Sequence, residues 1–184
     1  MNSYNNLRDS LKNAAILREK GQNEESLKIL KSFVTKPPFL SNSELHSGIG
    51  LSYKGLGKLG EAIKAFNHAL KLNPKDAFAS NSLGNIYADL GKPDEALKWF
   101  DVSIKAKANN FASYNAATML LWKTNQLEKA IEYGKEVLEK KDYFYTKNFK
   151  NRFGEFYLLP ASEQKKSEDF SIKNKKRRII SFSL

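Results

Sequence analysis

The same order of large and small residues returns after 34 positions, so that His46, Ile49, Gly50 and Tyr53 are answered by Ser80, Leu83, Gly84 and Tyr87. Ala62, Phe66 and Pro74 are answered in the same way by Ala96, Phe100 and Ala108. A chain with such a period is built from one recurring supersecondary unit, and each copy must cover its apolar face with its neighbour. Within a copy the spacing is helical. Ile49, Tyr53 and Leu56 make one apolar face, and Ile63, Phe66 and Leu70 make a second. Gly50, Gly84, Ala62 and Ala96 are small where two helices must approach closely. Gly57 and Gly91 close the first helix of each pair, where a left-handed backbone costs glycine little, and Asn125 takes that place one period later. Pro93, Asp94 and Glu95 suit a helix start, with carboxylates at its positive end. Pro74 ends the helix before the next copy.

This order resembles the tetratricopeptide repeat. The resemblance implies an all-α fold, a right-handed superhelical solenoid of helix–turn–helix repeats closed by a C-terminal capping helix. The expected organisation is an N-terminal extension at 1–6, a divergent repeat at 7–40, repeats at 43–76 and 77–110, and a degraded repeat at 111–144. In the degraded copy Ala117 and Thr118 replace the Leu-Gly pair, and Gly134 stands where the others have Phe. In the divergent copy Gly21 falls at the turn and Leu30 takes the aromatic position, with Ser41 and Asn42 inserted before the next repeat. A capping helix is expected at 145–160, where Phe149, Phe153, Phe156 and Tyr157 follow helical spacing and Pro160 ends the run. Residues 161–184 are rich in Ser, Lys, Glu and Asp and are expected to form a flexible basic tail.

Composition narrows the functional classes. Twelve Phe, eight Tyr and two Trp argue against wholesale disorder. The chain has no Cys, hence no disulfide and no thiolate metal site. The stretch 1–10 is polar, without the apolar core of a signal peptide, and no apolar run approaches the ~18 residues of a membrane span. The simplest expectation is a soluble cytoplasmic protein, with a nuclear location open in a eukaryotic cell.

Catalysis finds little support. Residues 55–60 match G-x-G-x-x-G, yet an amphipathic helix precedes them, whereas a dinucleotide fingerprint follows a strand. His46 is read as a packing residue and His68 as a surface residue, with no partner spaced to make a metal site or proton relay. No nucleophile motif is present. The expectation is a non-enzyme without cofactor or metal.

The resemblance implies that the first helices line a concave groove that holds a partner peptide. The groove candidates are Leu51, Lys54, Phe78, Asn81, Asn85, Asn115, Met119, Trp122 and Lys123, together with Arg8, Lys12 and Asp89. Asn81, Asn85, Asn115 and Trp122 lie off the core stripes of their helices. Asn pairs with peptide backbone as donor and acceptor, and Trp is a frequent interface anchor. The family's chaperone carboxylate clamp needs Lys, Asn and Arg at fixed positions. Those positions hold Ser47, Leu51, Ser82, Ala112 and Ala116, so the clamp is expected to be absent, and Leu11 and Ala15 fail in the first copy. The expected function is therefore a protein-interaction scaffold or adaptor. The alternative is a nucleic-acid-associated accessory protein that uses Lys173, Lys175, Lys176, Arg177 and Arg178 of the basic tail, in a chain of net charge +11.

Overall fold

The computed structural model describes residues 3–34, 39–106 and 111–139. Among them are eight α-helices, one short 3-10 turn and no strand. The helices are α1 (Ser3–Glu19), α2 (Asn23–Val34), α3 (Ser43–Gly55), α4 (Leu59–Leu72), α5 (Ala77–Asp89), α6 (Pro93–Ala106), α7 (Phe111–Lys123) and α8 (Leu127–Glu139). The 3-10 turn, Phe39–Ser41, lies between α2 and α3. The chain divides into two compact units, Met1–Ala130 and Ile131–Leu184. The capping helix at 145–160 and the basic tail at 161–184 lie outside the described residues.

In the first unit α1 packs on α2, α3 on α4 and α5 on α6, and α2, α4 and α6 pack in turn on α3, α5 and α7. The odd helices α1, α3, α5 and α7 also touch in succession, as in a stack of helical hairpins. Four turns inside these hairpins share one geometry. Gly21, Gly57, Gly91 and Asn125 adopt φ of 77°, 70°, 71° and 60°. At the second turn Gly57 N–H donates to the Lys54 carbonyl and Lys58 N–H to the Tyr53 carbonyl. The same two bonds recur around Gly21, Gly91 and Asn125. This is the Schellman motif, which satisfies the carbonyls left over at a helix end. The second glycine of the G-x-G-x-x-G run thus serves a helix-to-helix turn, preceded by α3 and followed by α4.

Helix starts repeat as well. The Asn42 side chain accepts the Leu45 N–H at 2.8 Å and caps α3, and 34 residues later Asp76 accepts the Ala79 N–H at 2.9 Å and caps α5. The second carboxylate oxygen of Asp76 accepts the Ser47 hydroxyl at 3.0 Å, so one side chain caps α5 and clasps α3.

The core follows the small–large alternation read from the sequence. A Cβ built on Gly50 would lie 2.9 Å from the Phe66 ring, and one on Gly84 would lie 2.5 Å from the Phe100 ring. Phe66 and Phe100 are fully buried, as are Ala62 and Ala96, so the rings fill the space that the glycines leave open. Leu7, Ala14, Leu30, Phe33, Phe39, Leu45 and Ile49 form one cluster, in which the Phe33 and Phe39 rings meet edge-on at 5.6 Å. Ala62, Phe66, Ala69, Ala79, Leu83 and Ile86 form the next. Polar bridges thread between the helices. The Ser26 and Ser52 hydroxyls meet at 2.9 Å, and the Ser52 hydroxyl donates to the Gly48 carbonyl at 3.1 Å. Ser103 donates to the Ala77 carbonyl, and its hydroxyl oxygen lies 2.9 Å from that of Ser113. In the second unit the described residues continue α8, with Gly134 buried.

Candidate functional site

The first unit contains an open cleft of about 770 Å3. One wall is α1, which contributes Leu7, Arg8, Leu11, Lys12, Ala15 and Arg18. These residues recur at three- and four-residue steps, so they share one helix face. The facing wall is α3 with its N-terminal approach, through Asn42, Glu44, Ser47, Gly48 and Leu51. Asp76 and Phe78 close the far end at the start of α5. The cleft is thus made by first helices of successive hairpins, and Gly48 keeps its floor open.

Its chemistry is mixed. Phe78 is 51% exposed, and Leu51 is half-buried. Arg8, Lys12 and Arg18 bring three positive charges to the α1 wall. Arg18 is half-buried and donates to the Ser26 hydroxyl at 3.2 Å, which joins it to the Ser26–Ser52 bridge. Burial pulls the Arg18 guanidinium below its ordinary pKa, and neighbouring Glu19 opposes the shift. An arginine remains charged under such conditions. Of the two acids at the cleft, Asp76 has both oxygens engaged by Ala79 N–H and Ser47, whereas Glu44 is exposed in the first turn of α3.

Of the groove residues expected from the sequence, Arg8, Lys12, Leu51 and Phe78 meet at this cleft. Lys54, Asn81, Asn85, Asp89, Asn115, Met119, Trp122 and Lys123 lie on α3, α5 and α7 outside its lining. Lys54 and Asp89 face each other at 4.0 Å, an exposed pair of small energetic weight. Asn81 has structural work that its position off the core stripe did not suggest, since its side-chain oxygen accepts the Ser113 hydroxyl at 2.9 Å and ties α5 to α7. Asn85, Asn115 and Trp122 are half-buried. Lys173, Lys175, Lys176, Arg177 and Arg178 lie outside the described residues. The sequence reading passed over Arg18. Leu7, Leu11 and Ala14 run along one face of α1, and Arg18 continues that run with a cation where an apolar residue belongs. That break in the stripe was the available signal.

The histidines stand as read, and they also touch. His46 is buried and His68 exposed, but their rings meet at 4.1 Å with a 54° tilt and join α3 to α4. Their separation in sequence hid this contact because the intervening turn folds one helix back on the other. Among the described residues no group of three or more His, Cys, Asp or Glu is gathered. No described helix is long and apolar enough to cross a membrane.

Residues 48–111 match the family model described as Tetratricopeptide repeat. Among solved structures, MamA is similar at 25% identity over 75% of this chain and 80% of that chain, with a TM-score of 0.65. YrrB, described as a tetratricopeptide-repeat protein with an unusual peptide-binding site, is similar at 20% identity over 72% and 67% of the two chains, with a TM-score of 0.57. An O-GlcNAc transferase mutant of Thermobaculum terrenum shares the fold at 18% identity and a TM-score of 0.59, over 66% of this chain and 23% of that one. No curated protein matches the chain.

Proposed function

We propose that this chain, whose residues 48–111 match the tetratricopeptide-repeat model and whose fold is that of solved tetratricopeptide-repeat structures, is a non-catalytic scaffold whose first helices hold a peptide segment of a partner protein. The observation that carries this reading is the cleft between α1, α3 and the start of α5, where Phe78 stands half exposed although the core has ample aromatic residues of its own. An exposed aromatic ring beside Leu51, in a concavity with polar side chains at its edges, has the composition of an interface anchor. Asn85, Asn115, Met119, Trp122 and Lys123 on α5 and α7 extend the candidate surface beyond the cleft. A cytoplasmic location fits such a role.

The test is selection of peptides against the full chain, followed by titration of the selected peptides. Affinity should fall at least tenfold on Phe78→Ala, and again on joint replacement of Asn85 and Trp122 by Ala, with helical content unchanged. Undiminished affinity in both variants removes the first helices from the account. Capture of partners that depends on nucleic acid and on the stretch beyond Pro160 would instead favour the basic tail.

A further inference from the structure

Arg18 is the least explained charge of the described residues. It sits in the last turn of α1, half-buried at the inner end of the cleft. Among the described residues its one hydrogen-bond partner is a neutral hydroxyl, that of Ser26. No carboxylate of the described residues lies within ion-pair distance of it. A half-buried guanidinium has given up part of its hydration, and one serine uses one of its five N–H donors. The acids that line the same cleft do not compensate it. Asp76 is held by Ser47 and the Ala79 N–H, and Glu44 stands exposed at the start of α3. Arg8 and Lys12, both exposed on the same face of α1, add charge of the same sign.

We propose that this cleft selects an internal segment of a partner protein in which an acidic side chain lies beside a large apolar one, the carboxylate pairing with Arg18 and the apolar side chain packing on Leu51 and Phe78. The inference rests on the peptide-binding reading above and adds the chemistry of the peptide. Three observations favour this occupant. Arg18 is pre-positioned by Ser26, and a guanidinium with free donors matches a carboxylate with two parallel hydrogen bonds. The surface between Arg18 and Phe78 is apolar at Leu11, Ala15, Gly48 and Leu51, which suits a side chain and not a phosphate backbone. The carboxylate is that of a side chain and not of a chain end. An acidic chain end presents its α-carboxylate together with a side-chain one, a pair that needs several fixed donors, and the lining at Leu11 and Ala15 supplies none.

A displayed library of random 12-residue peptides with both ends blocked tests the proposal when panned against the full chain. The expected result is enrichment of Asp or Glu within two residues of Leu, Phe, Ile or Trp. An enriched peptide should lose about tenfold in affinity when its acid becomes the amide. It should lose about as much against Arg18→Gln, and the two losses should not add. Arg18→Lys should recover only part of the affinity, since an ammonium lacks the paired donors. The substitution in the peptide needs no variant protein, so the proposal remains open to refutation even if Arg18→Gln disturbs the fold. Peptides that lose affinity on Phe78→Ala but show no acidic preference overturn this inference and leave the peptide-binding reading intact. A library that yields no binder overturns both. Binding confined to a second set with free C-terminal carboxylates, or to single-stranded nucleic acid, also overturns it.

Discussion

Replacing Gly84 by Ala puts the close approach of α5 and α6 to a quantitative test. The added Cβ would meet the Phe100 ring at 2.5 Å, whereas carbon atoms rest at about 3.5–4.0 Å. The ring must therefore retreat by about 1 Å, and Phe100, 1% exposed, has no solvent to retreat into. Overpacking of this kind costs about 1–3 kcal/mol, against about 1 kcal/mol gained by Ala over Gly within a helix. The net expectation is a loss of about 0–2 kcal/mol, or a fall in Tm of up to about 8 °C for a chain of this size. Gly50 faces the milder distance of 2.9 Å to Phe66, so the same change there should cost less. Gly60 is the control. It lies in the first turn of α4 with nothing within 4 Å of its Cβ position, and Ala there should stabilise by about 0.5–1 kcal/mol. Urea unfolding followed by far-UV circular dichroism reads all three. Repeating Gly84→Ala in a Phe100→Leu background should shrink its cost, because the ring edge is gone. If Gly84→Ala stabilises as Gly60→Ala does, or costs the same in both backgrounds, the packing argument is wrong.

Five further outcomes are expected from the same measurement. Asn125→Gly should stabilise by up to about 1 kcal/mol and Gly91→Ala should destabilise by about 1 kcal/mol, because both positions hold a positive φ that L side chains adopt at a cost. Thr118→Val should be neutral or stabilising by up to about 1–3 kcal/mol, since the buried Thr118 hydroxyl has no hydrogen-bond partner among the described residues. Asp76→Ala should cost about 1–2 kcal/mol from the lost cap of α5 and more from Ser47, whereas Asp89→Asn should change stability by less than about 0.5 kcal/mol because its exposed partner Lys54 is 4.0 Å away.

The hairpin turns and the close approaches were legible in the sequence because each imposes a backbone or steric demand on one residue. A left-handed turn inside each hairpin admits little but Gly or Asn, and a ring packed on a helix backbone requires Gly opposite it. The cleft was legible in part. Leu51 and Phe78 could be placed because the resemblance to the repeat family implies which face of each first helix lines the groove. Arg18, the Asn81–Ser113 bond and the His46–His68 contact were not, since each depends on a neighbour from another helix. Periodicity gives the direction of a side chain from its own axis. It carries no information about which atom waits across the gap.

The succession of first helices also sets a scale of length. Packed helices run about 8–10 Å apart, and an extended chain advances about 3.3 Å per residue. On the proposed peptide-binding reading, an extended partner crossing from α1 over α3 to α5 would reach a new helix at about every third residue, and the hairpin stack would count along it in threes. The clasp of Asp76 on Ser47 pins the α3–α5 interval of that count. On the same reading, a partner whose contact residues are spaced by four would fall out of step before it reached Phe78.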